Sequence, residues 1–297
     1  MNDYLLLAIS MAACLGSTII NKLLVDRYMN GQAAIYLRNA LGAVVTAVGL
    51  IVVSDIQSVS AYSLIMGLIF GAITALQCIF SMKAFQYGPM GYSSVIISLS
   101  MVIPTLSGCI FWNETLHLVQ ILGILFMIGC IVLSVDNSGR KKGNLKWLLY
   151  VGAAFVLTGA IGIMQKLHQS SPYKAELDVF LITAFLFAAV VSFAMVGTER
   201  LRGGQAALTP CKNILKWLPM VMILLGGIFG AANNKMNLYL SGVMDSAVFY
   251  PLVNGGNVIL VSLSGYFVFK ERLSRKQWIG MVLGILAVIL LCDPFGA

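Results

Sequence analysis

The chain has 297 residues, 59% of them hydrophobic and 10% charged, with a mean hydropathy of +0.92. Soluble domains carry about a quarter charged residues, so a water-soluble fold is excluded and the sequence is that of an all-α integral membrane protein. The net charge of +8 gathers on one set of loops, which marks a membrane face rather than a nucleic-acid partner.

A hydrocarbon core of ~30 Å takes about 20 apolar residues per helix. The sequence predicts ten such spans. The first five are Tyr4 to Val25, Ala33 to Val53, Tyr62 to Tyr87, Tyr92 to Trp112 and Leu116 to Val135. The second five are Leu145 to Leu167, Leu177 to Gly197, Ile214 to Leu240, Ser246 to Phe269 and Arg275 to Leu291. The acidic preface MND and the missing small-residue cleavage site argue against a signal peptide, so the first span is expected to stay in the mature protein. The longest predicted connection, Thr198 to Asn213, leaves no room for a soluble catalytic or nucleotide-binding domain. Six cysteines without CxxC spacing read as small hydrophobes, and His117 and His168 sit at helix ends without metal-ligand neighbours. No metal or cofactor is expected.

Basic residues alternate between loops. Arg27, then Arg140, Lys141, Lys142 and Lys146, then Arg200, Arg202, Lys212 and Lys216, then Lys270, Arg272, Arg275 and Lys276 share one side if ten spans are correct. The opposite loops hold Lys174 and the acids Asp55, Glu114, Glu176, Asp178 and Asp245. The positive-inside rule then places both termini outside the cytoplasm. A multi-pass protein of the plasma (inner) membrane is expected.

Internal repetition is the most specific pattern. NETLHLVQILG (113–123) and KERLSRKQWIG (270–280) share Glu114, Leu116, Gln120 and Gly123 against Glu271, Leu273, Gln277 and Gly280. YGPMG (87–91) aligns with SGVMD (241–245), and NKL (21–23) with QKL (165–167), in the same order. Equivalent spans lie five apart, an odd number, so the two copies cross in opposite directions. The expected architecture is a first five-helix repeat over 1–135, a basic linker over 136–144 and a second five-helix repeat over 145–297. Inverted repeats are common in secondary transporters, whose substrate site lies near the midplane.

These features resemble the EamA-type transporters of the drug/metabolite transporter superfamily. The resemblance rests on the five-plus-five layout, on Arg38 opening the second span (YLRNALG), and on the paired E-x-L-x-x-x-Q-x-x-G signatures. It implies a central cavity lined by spans 1 to 4 and 6 to 9, with spans 5 and 10 peripheral, and alternating access. It also implies cytoplasmic termini, against the loop charges.

The candidate site is the stretch YPLVNGGN (250–257) inside the ninth span. Proline removes a backbone donor, and Gly255 and Gly256 are expected to loosen the helix beyond it. Asn254 and Asn257 share a helix face one turn beyond Tyr250, which makes a ligand-binding face or, alternatively, a kink whose asparagines join neighbouring helices. Ser100 is the repeat counterpart of Asn254, and GAANNKMN (230–237) adds Asn233, Asn234 and Asn237. The "GAANNK" run faintly resembles a motif of nucleotide-sugar transporters. Gln77, Thr74, Ser17, Asn21, Gln86 and Gln165 read as further candidates or as interhelical hydrogen-bonders.

No carboxylate lies near the centre of a span, which disfavours a lipophilic-cation antiporter of the small multidrug resistance type. Lys22, Lys83, Lys166 and Lys235 read as snorkelling to the interface, or as attracting an anionic or zwitterionic solute. GMVLG (280–284) suits a homodimer seam as well as packing within the monomer. With no facing nucleophile and base, the chain is not read as an enzyme. The function expected is secondary transport of a small polar metabolite, amino-acid-like or similar. The alternatives are a multidrug or nucleotide/sugar-type solute transporter, and a non-transporting receptor or scaffold.

Overall fold

The computed structural model describes residues 3–28, 31–56, 58–87, 90–133, 145–267 and 274–291. Among them are twelve α-helices, two 3-10 turns and no strand. In lipid the backbone must satisfy its own polar groups, and continuous apolar runs do so as helices. The first six are α1 (Asp3–Tyr28), α2 (Gln32–Val53), α3 (Ala61–Tyr87), α4 (Met90–Ser98), α5 (Val102–Phe111) and α6 (Leu118–Leu133). The others are α7 (Leu145–Gln169), α8 (Leu177–Leu208), α9 (Cys211–Ile214), α10 (Trp217–Val243), α11 (Ser246–Phe267) and α12 (Arg275–Leu291). Seven helices among the described residues are long and apolar enough to cross a membrane: α1, α2, α3, α7, α8, α10 and α11.

Three local expectations are corrected. The predicted fourth span is divided into α4 and α5 by a 3-10 turn at Leu99–Met101, where Pro104 supplies no N–H to the preceding turn. The predicted loop after Gly197 is largely helical, because Glu199, Arg200, Leu201 and Arg202 are good helix formers and carry α8 onward. Its break comes only at Gly204, whose φ of 61° and ψ of −153° suit glycine alone. The third correction concerns α11, which stays helical across Pro251 and both glycines. Gly255 does not loosen it: a side chain there would fall on Met127 of α6, so the glycine serves close packing. The expected linker 136–144, the signature residues Glu271 and Leu273, and the side chains of Lys22 and Gln86 lie outside the described residues.

The chain forms two compact units, Met1–Ala75 with His168–Tyr239 (unit 1) and Leu76–Leu167 with Leu240–Ala297 (unit 2). In unit 1, Leu24, Ala34, Ile214 and Ile223 make a buried cluster with Ile20 and Leu41 packed against it. Gly67 and Gly71 bring α3 against Phe180, Thr183 and Ala184 of α8, and Gly227 brings α10 against Val45 of α2. The Thr46 hydroxyl of α2 donates to the Gly227 carbonyl at 3.2 Å. Asn21 of α1 accepts from the guanidinium of Arg38, which ties α1 to α2.

In unit 2, α6 and α12 pack antiparallel. Gly123 meets Leu291, Gly129 meets Leu283, Gly284 meets Cys130, and Gly280 meets Cys130 and Leu133, so one helix descends as the other ascends. Gly280 and Gly284, offered by the sequence as a dimer seam, are thus taken up by packing inside the chain. Both helices also start alike: Gln120 Oε1 accepts from the His117 N–H at 3.1 Å, and Gln277 Oε1 from the Ser274 N–H at 2.8 Å. A glutamine at the third helical position that reaches back to the capping residue is one half of a capping box. The signature glutamines therefore start helices.

Candidate functional site

The YPLVNGGN stretch lies on α11, whose first turn is held by Glu114 from the loop after α5. The Ser246 N–H donates to Glu114 Oε2 at 2.7 Å and the Ser246 hydroxyl to Oε1 at 3.2 Å. A carboxylate is a favourable partner for the unsatisfied N–H groups of a helix start. Glu114 Oε1 also lies 2.7 Å from Lys166 Nζ of α7. Lys166 donates in addition to the Met244 carbonyl at 3.0 Å. Snorkelling is therefore corrected for this residue: its ammonium is buried, because a carboxylate and a carbonyl replace the water it gives up. Lys83 instead lies over the Tyr150 ring, 5.3 Å from its centre.

One turn along α11, Tyr250 is buried, and its hydroxyl donates to the Gly162 carbonyl of α7 at 2.6 Å. Gly162 is small by necessity, since a side chain there would strike Pro104. Asn254 Nδ2 donates to the Tyr250 carbonyl of its own helix at 3.0 Å. Asn254 and Asn257 are both half-buried. Ser100 is buried in the 3-10 turn that divides α4 from α5. Gln77 Nε2 donates to the Ser81 hydroxyl at 3.0 Å and to the Thr158 hydroxyl at 3.2 Å. Of the predicted site residues in unit 2, Tyr250 and Asn254 are thus in contact, while Gln77 belongs to a separate hydrogen-bonded group.

Asn233 and Asn234 belong to unit 1, on α10. Asn233 Nδ2 donates to the Ser10 carbonyl at 3.0 Å, the Ser10 hydroxyl donates to Asn237 Oδ1 at 2.7 Å, and Asn237 Nδ2 donates to Asn233 Oδ1 at 3.4 Å. These three side chains join α1 to α10. Asn234 Nδ2 turns back on its own helix, to the Gly230 carbonyl at 2.8 Å. Thr74 Oγ1, on α3, is buried with no hydrogen-bond partner among the described residues. Lys235 is 2.8 Å from Asp178 Oδ1 at the start of α8.

Two participants escaped the sequence reading. Ser10 is a lone hydroxyl in an apolar run, and nothing local distinguishes it from a lipid-facing serine. Glu114 is visible only as a repeat signature, and its lysine partner is remote in sequence.

Residues 3–135 match the EamA-like transporter family. An uncharacterised protein of Haemophilus influenzae is 25% identical over 217 residues, which cover 70% of this chain and 68% of that protein. A probable 4-amino-4-deoxy-L-arabinose-phosphoundecaprenol flippase subunit ArnE of Hamiltonella defensa is 31% identical over 80 residues, 27% of this chain and 67% of that protein. A crystal structure at 15% identity matches with a TM-score of 0.72, covering 97% of this chain and 98% of its own; at that identity the likeness concerns the fold. With its apolar helices, its paired signatures and these relatives, the chain is a multi-pass membrane protein that belongs to the EamA-like transporter family of the drug/metabolite transporter superfamily.

Proposed function

We propose that the chain is a secondary transporter of the plasma (inner) membrane, moving a small polar metabolite, amino-acid-like or similar, by alternating access. In this reading ten spans form two inverted repeats: α1, α2, α3, α4 with α5, and α6 in the first, and α7, α8, α10, α11 and α12 in the second. The observation that carries it is the pairing of α6 with α12. Helices at the same place in the two sequence repeats start with the same glutamine cap and run in opposite directions, as inversion demands. The solute would enter a central cavity between the repeats.

The groups proposed to meet the solute are Asn254, Asn257, the Tyr250 ring and Ser100 of unit 2. Asn233 and Gln77 serve mainly to hold helices together, since their amides are spent on other side chains.

The test is a thermal-shift screen of purified protein against amino acids, nucleosides, sugars and amines, followed by flux into proteoliposomes. One polar class should raise the melting temperature and be transported. Folded protein that binds such a solute without moving it would make this a receptor or scaffold. Orientation is tested by labelling a cysteine introduced at Arg202, which should react from the cytoplasmic side. Native Cys211 interferes little, because it is buried and desolvation pushes its thiol pKa up.

A further inference from the structure

Unit 1 carries a crevice between α2 and α10, with a volume of about 520 Å³. Its walls are aliphatic, with Val45, Val48 and Val52 on one side and Leu224 and Ile228 on the other. Gly49 and Ala231 lie at its floor; a Cβ at Gly49 would stand 3.8 Å from that of Ala231, so the helices touch through small groups and leave room beside them. The crevice runs from Val44 to Val53 on α2 and from Leu224 to Lys235 on α10. At 1.5 Å rise per residue this is about 15 Å, half of a ~30 Å hydrocarbon core. That is the depth of one leaflet.

One end of the crevice is polar. Lys235 and Ala232 also line a second hollow of about 430 Å³, together with Asp3, Leu6, Leu177 and Tyr239, so the two spaces meet at Lys235. This end lies at the level of Val53, the last residue of α2, and Leu177, the first of α8. Lys235 Nζ donates to Asp178 Oδ2 at 2.9 Å. Asp178 Oδ1 is buried and lies 2.8 Å from the same ammonium, so both oxygens of this carboxylate face Lys235. An apolar trough one leaflet deep therefore ends in one ammonium and two carboxylates, with the ammonium partly exposed.

We propose that this is a binding site for one bilayer phospholipid with an ethanolamine headgroup. One acyl chain occupies the crevice, the phosphate accepts from Lys235, and the primary ammonium donates to Asp178 and Asp3. Each is a charge-assisted contact. An anionic glycerol headgroup brings no cation for the two carboxylates, and a choline headgroup brings a cation without a donor. The site discriminates by headgroup as well as by apolar burial.

The test is native mass spectrometry of the purified full chain with phosphatidylethanolamine, phosphatidylcholine and phosphatidylglycerol of identical acyl chains. The ethanolamine lipid should be retained about five- to tenfold more than the others, the value of one or two charge-assisted hydrogen bonds. Asp178→Asn should erase that preference, and Lys235→Gln should weaken retention of all three lipids. Val48→Trp, at a position 51% exposed, fills the crevice without touching the headgroup end, and should lower retention of all three while leaving their order unchanged. Equal retention of the three lipids by the parent protein, or an ethanolamine preference that survives Asp178→Asn, overturns the proposal. None of these measurements reads transport, so they stand or fall apart from the transport mechanism.

Discussion

Each unit contains a lysine–carboxylate pair, and the two differ in what surrounds them. Lys166 and Glu114 in unit 2 are 8% and 9% exposed, whereas Lys235 and Asp178 in unit 1 are 34% and 17% exposed. Glu114 spends its oxygens on Lys166 and on the N–H and hydroxyl of Ser246, and Lys166 spends a further donor on the Met244 carbonyl. That pair is complete, and it holds the start of the helix bearing YPLVNGGN. Among the described residues Asp178 turns both oxygens to its lysine alone, and that lysine is partly exposed and lines two open spaces. A closed pair fixes a helix; an open one can exchange partners. The same two side-chain types, lysine and carboxylate, are enclosed in one place and partly open in the other.

The comparison breaks most readily at the closed pair. Glu114→Gln or Lys166→Met strands one buried charge, which costs about 3–5 kcal/mol. Thermal unfolding in detergent should show a large loss for each single variant. The double variant Glu114→Gln, Lys166→Met should recover part of it, because no charge is then left unpaired. Single variants as stable as the parent would mean that the pair does not hold α11.

Next in size is Met127. It is fully buried on α6 and lies where a side chain at Gly255 would be, so it supports the polar stretch from behind. Met127→Gln buries an amide with no arranged partner, at about 1–3 kcal/mol. Expression and melting temperature should fall while solute preference stays the same. A changed preference in normally expressed protein would place α6 at the solute path, contrary to the peripheral role that the family resemblance implies.

How much of this was legible in the sequence depends on the range of the interaction. Apolar runs are local, and they locate the helices, although α8 runs on to Leu208 and the fourth span is divided at Leu99–Met101. Gln277 belongs to the repeat signature, and with Ser274 it also forms a local helix cap. Thr198 to Asn213 follows the end of an apolar run, yet the end of apolarity says where the membrane ends and not where the helix does, and α8 continues to Leu208. The contacts of Glu114 with Lys166, Ser10 with Asn237, and Gly255 with Met127 are between residues far apart in the chain. Composition cannot show which serine has a partner, nor whether a glycine bends a helix or admits a neighbour.

Within the proposed solute face, Asn254→Ala and Asn257→Ala should each weaken solute binding about five- to tenfold, as expected for one hydrogen bond to a polar ligand. The two differ in what else they touch. Asn254 already donates to the Tyr250 carbonyl, so its loss leaves that carbonyl with only its backbone environment, and a small drop in melting temperature should accompany it. Normal binding in both variants would leave these asparagines as helix-joining groups.

The smallest effect is expected at the open pair, and it completes the contrast. Lys235 is about one-third exposed, and ion pairs in that setting contribute about 0–1 kcal/mol because water competes and salt screens. Lys235→Gln should therefore shift unfolding little in lipid-free detergent, and the shift should shrink further as salt is added. Lys166→Met, by comparison, should be nearly indifferent to salt, since ions do not reach a pair so deeply enclosed. A salt-insensitive loss of several kcal/mol at Lys235 would make this pair as structural as the first, and would remove the exchangeable ammonium on which headgroup recognition depends.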